Sequence, residues 1–215
     1  MEKSYYTIDI EIDRKIMGNC YPQIETIEPI DIAESLSSWY FPEKNILFEI
    51  TLHKNALMTD ILSNFQTNSS GLIVSKRLKD VLDNFKLMEH KYYPVSIKDR
   101  NEIYYWLHLS DMQLSYDLDY NHSSFYQTKY NSIQNEILLS SFSEYELLKK
   151  IHGVSFGVRL KETKLHTDDL KKLDLLKFIP FSGLNLFISE DLKLALEENK
   201  IKGVKFQKTE IIKIS

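Results

Sequence analysis

The sequence predicts an α+β protein: a mostly antiparallel sheet that carries a few packed helices. Three observations predict it. Strand-like and helix-like stretches follow one another irregularly, with hairpin spacing and no βαβ rhythm. A strand–Ser–helix–strand unit occurs twice, as LIVSKRLKDVLDNFKLMEHKYYPVSI from Leu72 to Ile97 and LFISEDLKLALEENKIKGVKFQKTEI from Leu186 to Ile211, at a constant offset of 114 residues over 26 ungapped positions. The composition, 43% hydrophobic and 27% charged with 6 glycines in 215 residues, suits a packed core and leaves little for flexible linkers or glycine-rich phosphate loops. Eight positions of the repeat are identical: Leu72/Leu186, Ser75/Ser189, Leu78/Leu192, Lys79/Lys193, Leu82/Leu196, Lys86/Lys200, Lys91/Lys205 and Ile97/Ile211.

The elements follow from local pattern. Residues 4–12 alternate, placing Tyr6, Ile8, Ile10 and Ile12 on one strand face. Residues 18–45 read as irregular, broken by Pro22, Pro29 and Pro42, with Trp39, Tyr40 and Phe41 clustered there. ILFEITL over 46–52 reads as a second strand, and the polar stretch 63–70 as a loop into the first copy. In that copy Leu72–Val74 is a strand, and Ser75 offers its oxygen to a first-turn amide as an N-cap. Leu78, Val81, Leu82 and Phe85 then mark the apolar face of a helix. Residues 91–97 return as a strand, KDRNE turns, and the aromatic IYYWLHLSD completes a hairpin. QLSYDLDY alternates as a strand from Gln113 to Tyr120. Ser143 and Glu146 have capping-box spacing for a helix to Ile151. Gly153–Leu160 reads as a strand and Asp168–Lys177 as a short helix. In the second copy Ser189 is the cap, Glu190 and Asp191 suit the positive end of the helix dipole, and Leu192, Ala195 and Leu196 face inward. The repeated residues Ser75, Leu78, Leu82, Ser189, Leu192 and Leu196 are thus cap and core positions. The chain reads as one domain over 1–215, the alternative being an N-terminal subdomain over 1–70 beside a repeat-bearing part over 71–215.

Chemistry is sparse. The six histidines include no i, i+4 pair and no HExxH string, and neither a GxSxG elbow nor a P-loop is present. Cys20 stands alone, which fits a reducing compartment. No cofactor and no metal is expected. The N-terminus lacks the apolar core of a signal peptide and no stretch reaches membrane-span length, so a cytoplasmic location without membrane contact is expected. Residues 1–70 hold 11 acidic and 5 basic side chains. That imbalance repels phosphates, so nucleic acid is not an expected partner, whereas a basic protein would be attracted. Asp111, Asp117 and Asp119 form the densest carboxylate group. With Trp39 and Tyr40 they are the candidate partner-binding residues. Asp117 and Asp119 two apart on a strand could also do acid–base work beside His108, although solvated strand carboxylates and a packed strand histidine explain the same residues.

The string GLIVSKRLKDVLDNF, followed by Tyr92-Tyr93-Pro94-Val95, resembles bacterial polymorphic-toxin immunity proteins, specifically the family numbered eleven, and LFISEDLKLALEENKIKGVKF resembles the other recognisable part of that family. The resemblance spans about residues 71–110 and 180–212. Residues 1–70 match in general layout only. The first copy has Glu89-His90 where the second has Gly203-Val204. The resemblance implies a small cytoplasmic protein that binds and neutralises a cognate toxin and so protects the producing cell. It transfers no catalytic residue. The reading that follows is a non-enzymatic immunity protein. The alternatives are an enzyme with a dispersed site at Asp117, Asp119 and His108, or a regulatory subunit.

Overall fold

The computed structural model describes residues 4–43, 46–64, 70–111, 113–165 and 167–214. It is α+β, with mostly antiparallel sheets. The first part contributes β1 (Tyr5–Ile10), α1 (Arg14–Met17), β2 (Ile24–Glu28), α2 (Ile30–Ser35), β3 (Phe48–Leu52) and β4 (Ile61–Leu62). Next come β5 (Gly71–Ser75), α3 (Lys76–Leu82), β6 (His90–Ile97) and β7 (Ile103–Leu109). After a 3-10 turn at Tyr120–His122 follow β8 (Ser124–Lys129), β9 (Ser132–Ile137), α4 (Phe142–His152) and β10 (Phe156–Leu165). The chain continues through α5 (Asp168–Lys171), β11 (Leu175–Leu176), β12 (Leu186–Ser189), α6 (Glu190–Glu198), β13 (Val204–Lys208) and β14 (Ile212–Ile214).

The repeat organises these strands more deeply than its sequence suggests. In one sheet the order is β4-β5-β7-β6, and in another β11-β12-β1-β13. Each copy is therefore opened by an antiparallel strand from outside it, β7 in the first and β1 in the second. The registers coincide. Ser75 lies opposite Tyr104 and Ser189 opposite Tyr5. Lys91 lies opposite His108, and Lys205, its repeat partner, opposite Asp9. Ile61 pairs with Val74 as Leu175 pairs with Ile188. The equivalence continues outward: β3 runs parallel to β6 and pairs with β2, while β10 runs parallel to β14, the continuation of β13, and pairs with β8. Between its outer strands the first unit carries the short α2, and the second carries β9 and the longer α4.

Side chains obey the same equivalence. Ser75 and Ser189 cap α3 and α6 by accepting from the amides of Leu78 and Leu192 at 3.1 and 3.2 Å. Lys79 lies 5.7 Å from the ring centre of Tyr105, and Lys193 5.2 Å from that of Tyr6, the ring at the same register. Each lysine also pairs with an acid one turn on, Asp83 or Glu197. Tyr5 donates to Leu173 O at 2.8 Å and Tyr104 to Thr59 O at 2.6 Å. Leu78, Leu82, Leu192 and Leu196 are buried in one core cluster with Val74, Phe187 and Ile188. A second cluster around Trp106, Phe48 and Tyr93 lies under α2.

Two aspartates clasp the units together reciprocally. Asp60 stands before β4 and accepts from the Ser75 hydroxyl at 2.7 Å and from the Lys202 amide, just past α6, at 2.8 Å. Asp174 stands before β11, at the same 114-residue offset, and accepts from the Ser189 hydroxyl at 2.8 Å and from the Lys86 amide, just past α3, at 3.0 Å. Each aspartate thus serves its own unit's cap and the other unit's helix end. Gly203 belongs to this contact: with φ +93 it lets the loop approach Ile61, and a Cβ there would lie 2.9 Å from the Ile61 carbonyl oxygen. Arg77 adds a two-pronged ion pair to Asp60. Burial alone would raise the Asp60 pKa, but Arg77, the Lys202 amide and Ser75 together hold it below its usual value. Asp60→Ala is expected to cost about 3 kcal/mol, the low end for breaking a buried ion pair, because Arg77 is half exposed and stays solvated. A carboxyl depressed in the fold stabilises above its unfolded pKa of about 4 and loses that contribution as pH falls through the folded value. Urea midpoints at pH 7 and pH 3 should therefore differ less for Asp60→Asn than for the parent. An unchanged pH dependence would rule the clasp out.

Several local readings are corrected. Residues 18–45 contain β2 and α2, because Ile24 and Ile27 bury a strand against β3 between the prolines. Residues 113–120 are turns, not a strand: the Asp111 carboxylate takes the Ser115 amide at 2.7 Å, and the amides of Tyr116 and Asp117 both bond Gln113 O. Helix α4 is capped by Ser141 rather than Ser143, with Glu144 accepting from Ser140. The helix read over 168–177 stops after one turn, since Leu175 and Leu176 extend the sheet beside β12. On β1 the most deeply buried ring is Tyr5, outside the Tyr6/Ile8/Ile10/Ile12 face, and Ile12 is exposed. The loop read over 63–70 falls largely on 65–69, outside the described residues.

Candidate functional site: an aromatic groove beside α4

The two units differ most in the connections between their outer strands, and those connections meet. The first unit's connection carries Trp39, and the second unit's carries α4. Between them lies a groove of about 790 Å³ lined by Trp39, Tyr116, Phe142, Tyr145 and Pro180, with Glu146, Lys149 and Lys150 at its edge. Phe142 is its hub. Tyr116 packs on it with ring centres 4.3 Å apart, and Trp39 meets it edge-on at 5.7 Å. Behind, Tyr145 and Phe142 rest on the buried Phe181, which packs on Phe125 in the core. The apolar floor is thus rigid, and its outer rings stay partly open to water.

One buried side chain fixes this floor. The carboxylate of Asp111 accepts from the Ser115 hydroxyl and from the amides of Ser115 at 2.7 Å and Ile179 at 2.8 Å, while the Asp111 amide donates to Ser38 O at 2.9 Å. Ser38, Ser115 and Ile179 directly precede Trp39, Tyr116 and Pro180, three lining residues from three distant segments. Burial pushes the Asp111 pKa up, opposed by these donors. His108 secures the Trp39 loop from the other side. Its Nε2 lies 2.7 Å from Ser37 O, and Phe41 meets its ring edge-on at 5.2 Å. Burial, with Lys91 nearby, lowers the His108 pKa against the pull of the Ser37 bond, so the ring is held neutral and donates from Nε2.

Over residues 4–211 the chain matches the sequence model of an immunity protein family, Imm11. It belongs to that family. No curated protein matches it. For an Imm11 immunity protein the residues singled out from sequence fall in unlike places. Trp39 lines the groove, and Tyr40 beside it is exposed. Asp111 is fully buried, so the expectation that it contacts a partner is corrected: it holds up the surface rather than forming it. Asp117 is exposed next to Tyr116 and accepts from Gln113 at 3.0 Å. Asp119 is turned away to cap the 3-10 turn and bond His122 at 2.7 Å. Asp117, Asp119 and His108 are not brought together: His108 is sealed against Ser37, and Asp119 pairs with a different histidine. Among the described residues no helix is long and apolar enough to cross a membrane. Phe142, Tyr145 and Pro180 were not singled out, because the groove gathers residues far apart in the chain. The only local signal was the dense aromatic content around Trp39.

Proposed function

We propose that this chain is an immunity protein that neutralises a cognate bacterial toxin by binding it stoichiometrically in the cytoplasm, without catalysis. Family membership across 4–211 carries the reading. The groove supports it. Open aromatic rings on a rigid base, edged by charge, are the composition of interface hot spots, where Trp and Tyr supply contact area at low entropic cost. Trp39, Tyr40 and Asp117 are proposed as contact residues on this face. Asp119, on a separate exposed turn, is proposed only as a peripheral contact.

Co-expression tests the reading. Cells making the toxin domain encoded beside this chain's gene should survive when the chain is present, and the two proteins should co-purify in equal amounts. Survival without a complex would point to a catalytic route instead. Neither survival nor a complex would end the proposal. Trp39→Ala should weaken the complex by about 2 kcal/mol, as for an interface anchor, while the fold persists.

A further inference from the structure

The groove has a charge sign, and it is opposite to that of the chain. Its lining continues past Tyr145, Lys149 and Pro180 into a second depression that reaches Tyr130, Val154 and Arg159. Along this combined trough stand Lys149, Lys150 and Arg159, against the single carboxylate of Glu146. None of the three cations joins an ion pair among the described residues, so each keeps its charge open to an incoming carboxylate. Lys149 lies 6.0 Å from the Tyr145 ring centre and so extends over the apolar floor. The acidic first part of the chain does not offset this charge, because among its described residues only Trp39 reaches the lining.

The helix beside the trough is also unfinished on its outer side. Leu147 and Ile151, one turn apart on α4, are 56% and 65% exposed, and Val154 just beyond the helix is 99% exposed. A surface helix ordinarily keeps such a stripe polar. The fold does not use it. The stripe, the aromatic floor and the unpaired cations all lie on the β9–α4 connection or face it, and the corresponding connection of the first unit carries only the shorter α2.

We infer that the trough along α4 receives an acidic polypeptide segment of the protein partner, one that places an aromatic or large aliphatic side chain against Phe142 and Tyr116 and its carboxylates on Lys149, Lys150 and Arg159. The charge of the trough selects this occupant. A basic segment would leave three cations unpaired beside it, a penalty that discriminates strongly between partners. The inference rests on the proposed toxin-binding function for the identity of the partner, and not for the chemistry of the segment.

Two arms test it separately. In the first, two short synthetic peptides share a central Phe and Leu. One is otherwise rich in Asp and Glu, the other in Lys and Arg. The acidic peptide should shift the Trp39 indole resonance and the α4 amide resonances. Lys149→Glu combined with Lys150→Glu, both on exposed positions, should weaken that response about tenfold or more, and added salt should weaken it in the parent. Arg159→Gln serves as a second variant if the first is poorly folded. Equal shifts from the basic peptide, or none from either, would overturn the inference. In the second arm, hydrogen exchange is compared for the chain alone and in complex with the toxin domain. Protection is expected over 142–159 and around Trp39. A complex that protects only the acidic strands of residues 1–70 would sink this inference and leave the proposed function standing. Absence of any complex would sink the proposed function, and the peptides would still decide the chemistry of the trough.

Discussion

Asp111→Ala is expected to lower stability by about 3–5 kcal/mol and to disorder the groove before the rest of the fold gives way. The side chain is fully buried and accepts three hydrogen bonds. Removing it strands two backbone amides and a hydroxyl away from water, each costing about 1–3 kcal/mol, so the total approaches the cost of breaking a buried charged network. The damage should be local, because the residues released precede Trp39, Tyr116 and Pro180. At temperatures where the variant is still folded, its Trp39 indole resonance should broaden or move, and binding should fall further than stability does. Asp111→Asn, which keeps one acceptor oxygen, should lie between. A variant with the parental urea midpoint and an unmoved indole resonance would show that the carboxylate does not organise this surface.

Deleting residues 1–12 is expected to abolish the fold altogether. β1 is a central strand, hydrogen-bonded to β12 on one side and β13 on the other. It also buries Tyr5 and Ile8. Burying large apolar side chains is worth about 1.5–3 kcal/mol each, and two flanking strands would lose their ladder bonds as well. Together these losses are comparable to the 5–15 kcal/mol or so that holds a typical domain folded. The same reasoning applies to a cut at residue 70: β3 pairs with β6 and β4 with β5 across that point. A fragment of residues 71–215 should give the collapsed amide spectrum of an unfolded chain. A dispersed spectrum would instead establish the second part as a subdomain of its own.

The repeat was legible because its caps and core leucines sit at fixed spacing inside one continuous stretch. The parts of the unit outside that stretch were not. Asp60 and Asp174 share the 114-residue offset, but each is followed by only two apolar residues, Ile61-Leu62 and Leu175-Leu176, too short a match to notice. The central strands β1 and β7 lie at opposite ends of their units, so no single offset relates them. Alternation misled at 113–120, where a buried aspartate bonding nearby amides gives the backbone a partner other than a ladder. The groove was least legible of all. Trp39 stood out by its neighbours, but Phe142 and Pro180 become neighbours of it only through Asp111 and Phe181.

The reciprocal clasp has a consequence for how such a chain could have come about. A half-length chain with one unit would expose the inner face of its helix, and its aspartate would lack the loop amide it accepts from. Two such chains related by a two-fold axis would supply each other with both, in a self-complementary dimer. The observed single polypeptide has the strand pairings and the two aspartate contacts that such a dimer would have. The unequal connections, α2 in one unit and β9 with α4 in the other, then break the symmetry. A symmetric pair would have offered two equal faces; here Trp39 from one connection and Phe142 from the other meet in one unequal groove.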